Sequence, residues 1–268
     1  NRYDLTVSFI ARVENTATTN NGGVIRNGGS STNVTADYID HTGQHVKLTY
    51  GEAAVVVQEP RITLTKAFSV ASGDAEDIVT LTVTAVNSGT ATSYNLRVLD
   101  DLAAVRDLTY VPGSTSGTDL PDIVDTASLG ANRPIFSWNA SNPKYAIAPG
   151  TTRTFTFKVK VAGTAQPQEI LTNTIQASWQ SLPGRTTALN STGNIGADGS
   201  DMGMRNGALP NAGNSINDYE TSASSSFLVP AVQVAKADLT PAVIPAIGAQ
   251  KQFEIEIRLP EGTTRDLS

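Results

Sequence analysis

The 268-residue chain is long enough for a large core or for two ordinary domains, and its net charge of −6 and pI near 4.9 disfavour nucleic acid or an anionic membrane surface as partner. The chain has no cysteine, which excludes disulfides, thiolate metal sites and a cysteine nucleophile. Thr, Ser, Val, Ala, Asn and Gly dominate, long Leu/Glu/Lys helical patterns are missing, and no apolar run is long enough to span a bilayer. The expected class is therefore all-β and turn-rich.

Leu5, Val7, Phe9, Ala11 and Val13 alternate with Thr6, Ser8, Ile10 and Arg12, the period of a β-strand, and Asn15 and Ala17 continue the inward parity. Opening inside a strand-like pattern, the chain is expected to be a fragment of something longer. A polar Gly/Asn-rich loop is expected from about Thr18 to Thr35, and a strand over Tyr50 to Gln58 that Glu59-Pro60 breaks. Ile62 to Phe68 forms the next strand, with Ile62, Leu64, Lys66 and Phe68 on one face. Val79, Leu81, Val83 and Ala85 then alternate with threonines, and Leu96 and Val98 alternate through to Asp100. Asp101 to Asp107 reads as a short helical turn, followed by short strands over Leu108 to Val111 and Pro134 to Trp138. Phe155, Phe157, Val159 and Val161 mark another strand, and Leu171, Asn173, Ile175, Ala177 and Trp179 one face of the next. A long Gly/Asn/Ser loop from about Pro183 to Asn217 precedes a strand over Tyr219 to Val229. Val232, Val234 and Lys236 share a face, and Phe253, Ile255, Ile257 and Leu259 form the last strand. Short strands with turns at this spacing predict β-sandwich domains.

The chain also repeats itself. Leu5 to Phe9 matches Phe155 to Val159, Glu14-Asn15-Thr16-Ala17 matches Thr172-Asn173-Thr174-Ile175, and Leu64-Thr65-Lys66-Ala67 matches Val234-Ala235-Lys236-Ala237. Gln252 to Leu259 matches Val79 to Val86 in pattern. The repeat divides the chain into the C-terminal half of one sandwich (residues 1–59), a complete one (60–229) and the N-terminal half of a third (230–268). The missing halves are expected from strands outside these 268 residues, either of one longer polypeptide or of a neighbouring copy.

Three polar residues of the middle segment stand at core parity. Lys66 continues Ile62 and Leu64, Asp100 continues Leu96 and Val98, and Asn173 lies between Leu171 and Ile175. Asn15 and Lys236 repeat the pattern in the outer segments as incomplete halves of the same set. A buried unpaired ammonium is very costly, so Lys66 needs something in the core to meet it. A lysine, a carboxylic acid and a carboxamide together allow amide formation: a neutral amine attacks the Asn carboxamide and ammonia leaves. Burial favours the neutral amine and raises the carboxyl pKa, so Asp100 would serve as proton shuttle. The same parity also fits a buried Lys–Asp ion pair hydrogen-bonded to Asn173, or an exposed lysine on a misread strand edge.

Gly73-Asp74 with Ile78 to Gly89, Leu96 to Leu102, Ile147-Ala148-Pro149-Gly150, Leu171 to Thr174 and Asn217-Asp218-Tyr219 follow one another in an order that resembles the fimbrial isopeptide-forming (pilin D2-like), Ig-like repeat domains of large bacterial surface proteins. The resemblance covers the middle segment and, less fully, both outer ones. It implies tandem Ig-like β-sandwiches on the bacterial cell surface, with Lys66 joined to Asn173 through an isopeptide bond and an acidic helper beside them, Asp100 by parity or else Asp101, Asp74 or Asp77. Many members of that family lack the bond.

Other candidates are weaker. Asp198 and Asp201 in Asp198-Gly199-Ser200-Asp201 provide oxygen ligands for calcium, but the EF-hand spacing is absent and a solvated loop is the better reading. His41 and His45 are separated by Thr42-Gly43, which argues for a polar loop or edge strand over a helical metal site. No phosphate loop, nucleophile elbow or HExxH pattern is present, and no cofactor is expected. The leading expectation is a structural segment of an extracellular adhesin, stalk or fibre. Its partners would be neighbouring repeats or head-to-tail copies of itself, with no membrane insertion and no turnover of an external substrate. The rival is a glycan- or protein-binding module that uses the polar loops at 20–33 and 183–217.

Overall fold

The computed structural model describes residues 6–14, 19–27, 35–49, 52–184, 204–211, 219–242, 244 and 246–263. The structure is nearly all β, as composition and alternation predict. Strands β1 (Val24–Asn27) and β4 (Ala53–Val56) pair, and β2 (Thr35–Ile39) and β3 (His45–Thr49) form a hairpin. β1 lies inside the segment read as a polar loop. Its Val24 and Ile25 pair with Val56 and Val55, a local apolar match that the surrounding glycines and asparagines obscure. Residues 6–14, read as a strand, are exposed and carry no strand pairing here. Alternation alone does not make a strand without a partner edge.

The middle of the chain builds a two-sheet sandwich. Its strands are β5 (Ile62–Phe68), β6 (Ile78–Asn87), β7 (Ser93–Asp100), β8 (Leu108–Tyr110), β9 (Ile123–Asp125), β10 (Ile135–Ser137), β11 (Ala146–Ile147), β12 (Thr152–Val161), β13 (Ile170–Gln180) and β14 (Glu220–Leu228). One sheet runs β5-β6-β12-β8; the other runs β14-β13-β7-β10-β9, with β11 on β7. The expected helical turn is a single 3-10 turn at Leu102–Ala104.

Alternation decides what meets inside. Val79, Leu81 and Val83 of β6 pair with Val159, Phe157 and Phe155 of β12, and all six side chains are buried. From the facing sheet, the Phe136 ring lies 4.9 Å from that of Phe157 and 5.0 Å from that of Phe155. Each such aromatic contributes about 1.5–3 kcal/mol by leaving water. The outer faces carry the hydroxyls: Thr172 bonds Ser226 and Thr174 bonds Ser224 across β13 and β14.

The last two strands, β15 (Gln233–Asp238) and β16 (Phe253–Arg258), form an exposed hairpin. Its register corrects the sequence match by one residue. Lys236 pairs with Ile255 as Lys66 pairs with Val83, so Ile255, not Glu256, occupies the place of Val83.

Candidate functional site

The site lies between the two sheets. Lys66 is the fifth residue of β5, and the two-residue period that buries Ile62 and Leu64 turns it inward beside Val83. Asp100 ends β7 and pairs with Ile175 of β13; its backbone N–H donates to the Pro134 carbonyl at 3.0 Å. Asn173 precedes Ile175 by two residues, so it falls on the same inward face as Ile175. One sheet therefore presents the acid and the carboxamide from adjacent strands, and the other presents the amine.

The three side chains meet. Lys66 Nζ donates to both Asp100 carboxylate oxygens, at 3.1 Å to Oδ1 and 3.0 Å to Oδ2. Asn173 Nδ2 donates to Asp100 Oδ2 at 3.2 Å. The Lys66 and Asp100 side chains have no exposed surface, and Asn173 is fully buried. The Asn173 carbonyl oxygen is buried without a hydrogen-bond partner.

Burial sets the protonation. Loss of water pushes the Lys66 amine down to about 8, against the opposing pull of Asp100. Loss of water also raises the Asp100 carboxyl, partly offset by Lys66 and by the Asn173 amide. Both shifts favour moving one proton from lysine to aspartic acid, which leaves a neutral amine beside a neutral acid. The unpartnered Asn173 oxygen fits that state. A half-turn of the carboxamide puts oxygen where Nδ2 stands, 3.2 Å from Asp100 Oδ2, a contact that is a hydrogen bond only when the acid carries a proton.

The other sequence candidates fall elsewhere. Asp101 faces out of this group and is held by Arg133, whose Nε donates to Oδ1 at 2.8 Å. Asp77 accepts the Asp74 backbone N–H at 2.8 Å and closes a turn. Lys236, expected at core parity, is exposed, with Nζ 4.3 Å from the centroid of the Phe253 ring. No second sheet covers its face among the described residues. Asn15, Asp198 and Asp201 lie outside the described residues. His45 accompanies Asp37 on the β2–β3 hairpin at 3.4 Å, as an edge-strand reading predicts. Among the described residues no group of three or more His, Asp or Glu is placed to hold a metal ion, and no helix is long and apolar enough to cross a membrane.

Sequence reasoning missed a second buried polar group. Glu59 pairs with Arg205 and accepts the Tyr219 hydroxyl at 2.9 Å. Glu59 reads as a strand breaker beside Pro60, and Arg205 sits in a loop with no period, so neither carried a signal.

No protein-family model matches the chain, and no curated protein matches it. Solved structures give distant matches. AvmM, which catalyses macrocyclization in alchivemycin A biosynthesis, is 13% identical over 63% of this chain and 89% of its own, with a TM-score of 0.34. A 35 kDa C-terminal fragment of the major pilin GBS80 of Streptococcus agalactiae is 10% identical over 66% of this chain, with a TM-score of 0.37; this chain spans 57% of that fragment. The seventh ScaB type I cohesin from Pseudobacteroides cellulosolvens is 10% identical over 63% of this chain and 92% of its own, with a TM-score of 0.33. Likenesses at this level leave the function to be read from the side chains themselves.

Proposed function

We propose that residues 60–229 are a self-crosslinking Ig-like repeat in the structural part of an extracellular bacterial surface adhesin, stalk or fibre. The observation that carries this reading is the buried group of Lys66, Asp100 and Asn173, which brings a nucleophile, an acid and an electrophile together across the two sheets.

The chemistry follows from the geometry. Neutral Lys66 Nζ attacks Asn173 Cγ while Asp100 gives its proton to the carboxamide. The resulting tetrahedral centre returns a proton from Nζ to Asp100. The Cγ–Nδ2 bond then breaks as Asp100 passes its proton to Nδ2, ammonia leaves, and the proton first placed on the carboxamide oxygen returns to Asp100 as the carbonyl re-forms. One N–C bond replaces another, Asp100 ends as it began, and no oxidant or cofactor is needed. The fold supplies the proximity, which is worth a large effective concentration. The event happens once per molecule and takes no external substrate.

A Lys66–Asn173 bond would tie the first strand of the sandwich, β5, to β13 in the opposite sheet. Tension entering at residue 60 would then reach β13 without unzipping β6 or β12. That suits a load-bearing element whose neighbours are further repeats or copies of the same chain. Among the described residues of the two polar loops, one from each is engaged within the chain, which supports this reading over that of a glycan- or protein-binding module. Asn21 from the first loop and Arg205 from the second both bond Glu59.

Peptide mapping tests the proposal. A tryptic digest is expected to yield one branched peptide in which Lys66 is joined to Asn173, with trypsin failing to cut after Lys66. Recovery of both peptides in linear form overturns the reading.

A further inference from the structure

The second buried polar group holds two segments of the chain together. Glu59 belongs to the segment before the sandwich. Its carboxylate accepts the Asn21 backbone N–H at 2.8 Å from its own segment, and it pairs with Arg205 and accepts the Tyr219 hydroxyl at 2.9 Å from the sandwich. Arg205 Nη2 also donates to the Thr19 carbonyl at 2.6 Å. The Glu59 carbonyl accepts the backbone N–H groups of Thr90 at 2.9 Å and Ala91 at 3.2 Å. The Arg205 side chain is only 5% exposed and that of Glu59 16%, so these charges meet largely out of water.

A Gly-Thr step also makes main-chain contact at the other end, with a different backbone conformation and a different partner segment. Gly89-Thr90 follows β6, and Gly262-Thr263 follows β16. At Gly89 an added Cβ would collide with the Glu59 carbonyl and the Arg61 amide nitrogen. At Gly262 it would collide with the Ala165 carbonyl, and φ of +111° is a second reason for glycine. The threonine after each glycine donates its backbone N–H to the segment before it: Thr90 to Glu59, and Thr263 to Ala165 at 3.1 Å. Thr90 and Thr263 hydroxyls also reach carbonyls of Glu59 and Gly163, at 3.5 and 3.4 Å.

We propose that Glu59 with Arg205 and Tyr219, and the Gly-Thr steps after β6 and β16, are joints that seat each repeat on the preceding repeat of the same chain at a fixed angle. The proposal rests on reading 1–59, 60–229 and 230–268 as parts of successive repeats. It does not depend on the crosslink, because neither Lys66 nor Asn173 touches a joint residue. A side-chain ion pair and a hydroxyl close the first joint, and main-chain contact through a Cβ-free residue shapes both. Stiffness along the array would come from these contacts and not from the linkers.

Pulsed dipolar spectroscopy on the whole chain tests this, since the absence of cysteine leaves introduced labels unique. Exposed Gln44→Cys and Lys158→Cys bracket the first joint; Lys158→Cys and Glu254→Cys bracket the second. Each pair is expected to give one narrow distance distribution. The first should broaden in Glu59→Ala and the second in Gly262→Val, while the ammonia deficit of the chain stays as it was. Should Glu59→Ala fail to fold, Gly89→Ala, which displaces the Glu59 carbonyl, is read in its place. Broad distributions in the parent chain, or narrow ones that the substitutions leave unchanged, overturn the proposal.

Discussion

Lys66 and Asp100 face each other across the two sheets, with Nζ 3.1 Å from Oδ1 and 3.0 Å from Oδ2 and neither side chain exposed to water. As an ion pair this arrangement is a poor stabiliser, because desolvating two charges costs several kcal/mol each and the attraction between them offsets that only partly. As a neutral amine and acid the same contact escapes most of the cost. The site is therefore better suited to a proton transfer than to a permanent charge.

That asymmetry predicts an order among variants. Asp100→Ala leaves Lys66 buried without a carboxylate and is expected to destabilise by about 3–5 kcal/mol in urea unfolding. Lys66→Met replaces the amine by an apolar chain of similar length and leaves Asp100 free to remain protonated beside Asn173. Both variants lose the crosslink, so the difference between them isolates the buried charge. Lys66→Met is expected to be the more stable; the reverse order contradicts the electrostatic account.

The pH dependence has a definite sign. In Asn173→Ala, which cannot crosslink, Lys66 keeps the burial and the Asp100 contact that set its pKa. Its folded value near 8 lies below the ordinary 10.5, so between these the unfolded chain binds more protons than the folded one. Stability from this group is present above the ordinary value and is lost as pH falls through about 8. The urea midpoint of Asn173→Ala is expected to rise across that window relative to Lys66→Met/Asn173→Ala. Parallel profiles would place Lys66 in water.

Much of this was legible because the sandwich obeys a two-residue period. Val79 to Ala85 and Phe155 to Val161 declare their inner faces, and the same parity marks Lys66, Asp100 and Asn173 in the sequence. Parity also favoured Asp100 over Asp101, since adjacent strand residues point to opposite faces. It failed where structure depends on partners distant in sequence. Residues 6–14 alternate well yet have no pairing edge, and Val24–Asn27 finds its edge inside a stretch that composition marks as loop. Lys236 has the right period but no covering sheet among the described residues. The Glu59 group carries no sequence signal because its members come from a break between two strands, a loop and the start of a strand.

Scaffold and chemistry should separate experimentally. Phe136 packs against both Phe155 and Phe157 and touches none of the three reacting residues by hydrogen bond. Phe136→Ala is expected to cost about 3–5 kcal/mol through the cavity it leaves. Whatever fraction folds should still lose ammonia. A folded Phe136→Ala chain at full mass would mean that the core sets the reaction geometry more tightly than the backbone does.

Intact mass of the purified chain tests the central claim most directly. The account predicts a mass one ammonia below that calculated from the sequence, with the deficit abolished in Lys66→Ala and in Asn173→Ala. A full calculated mass for the folded parent chain would contradict it and leave Lys66, Asp100 and Asn173 as a buried hydrogen-bonded group with no bond formed between them.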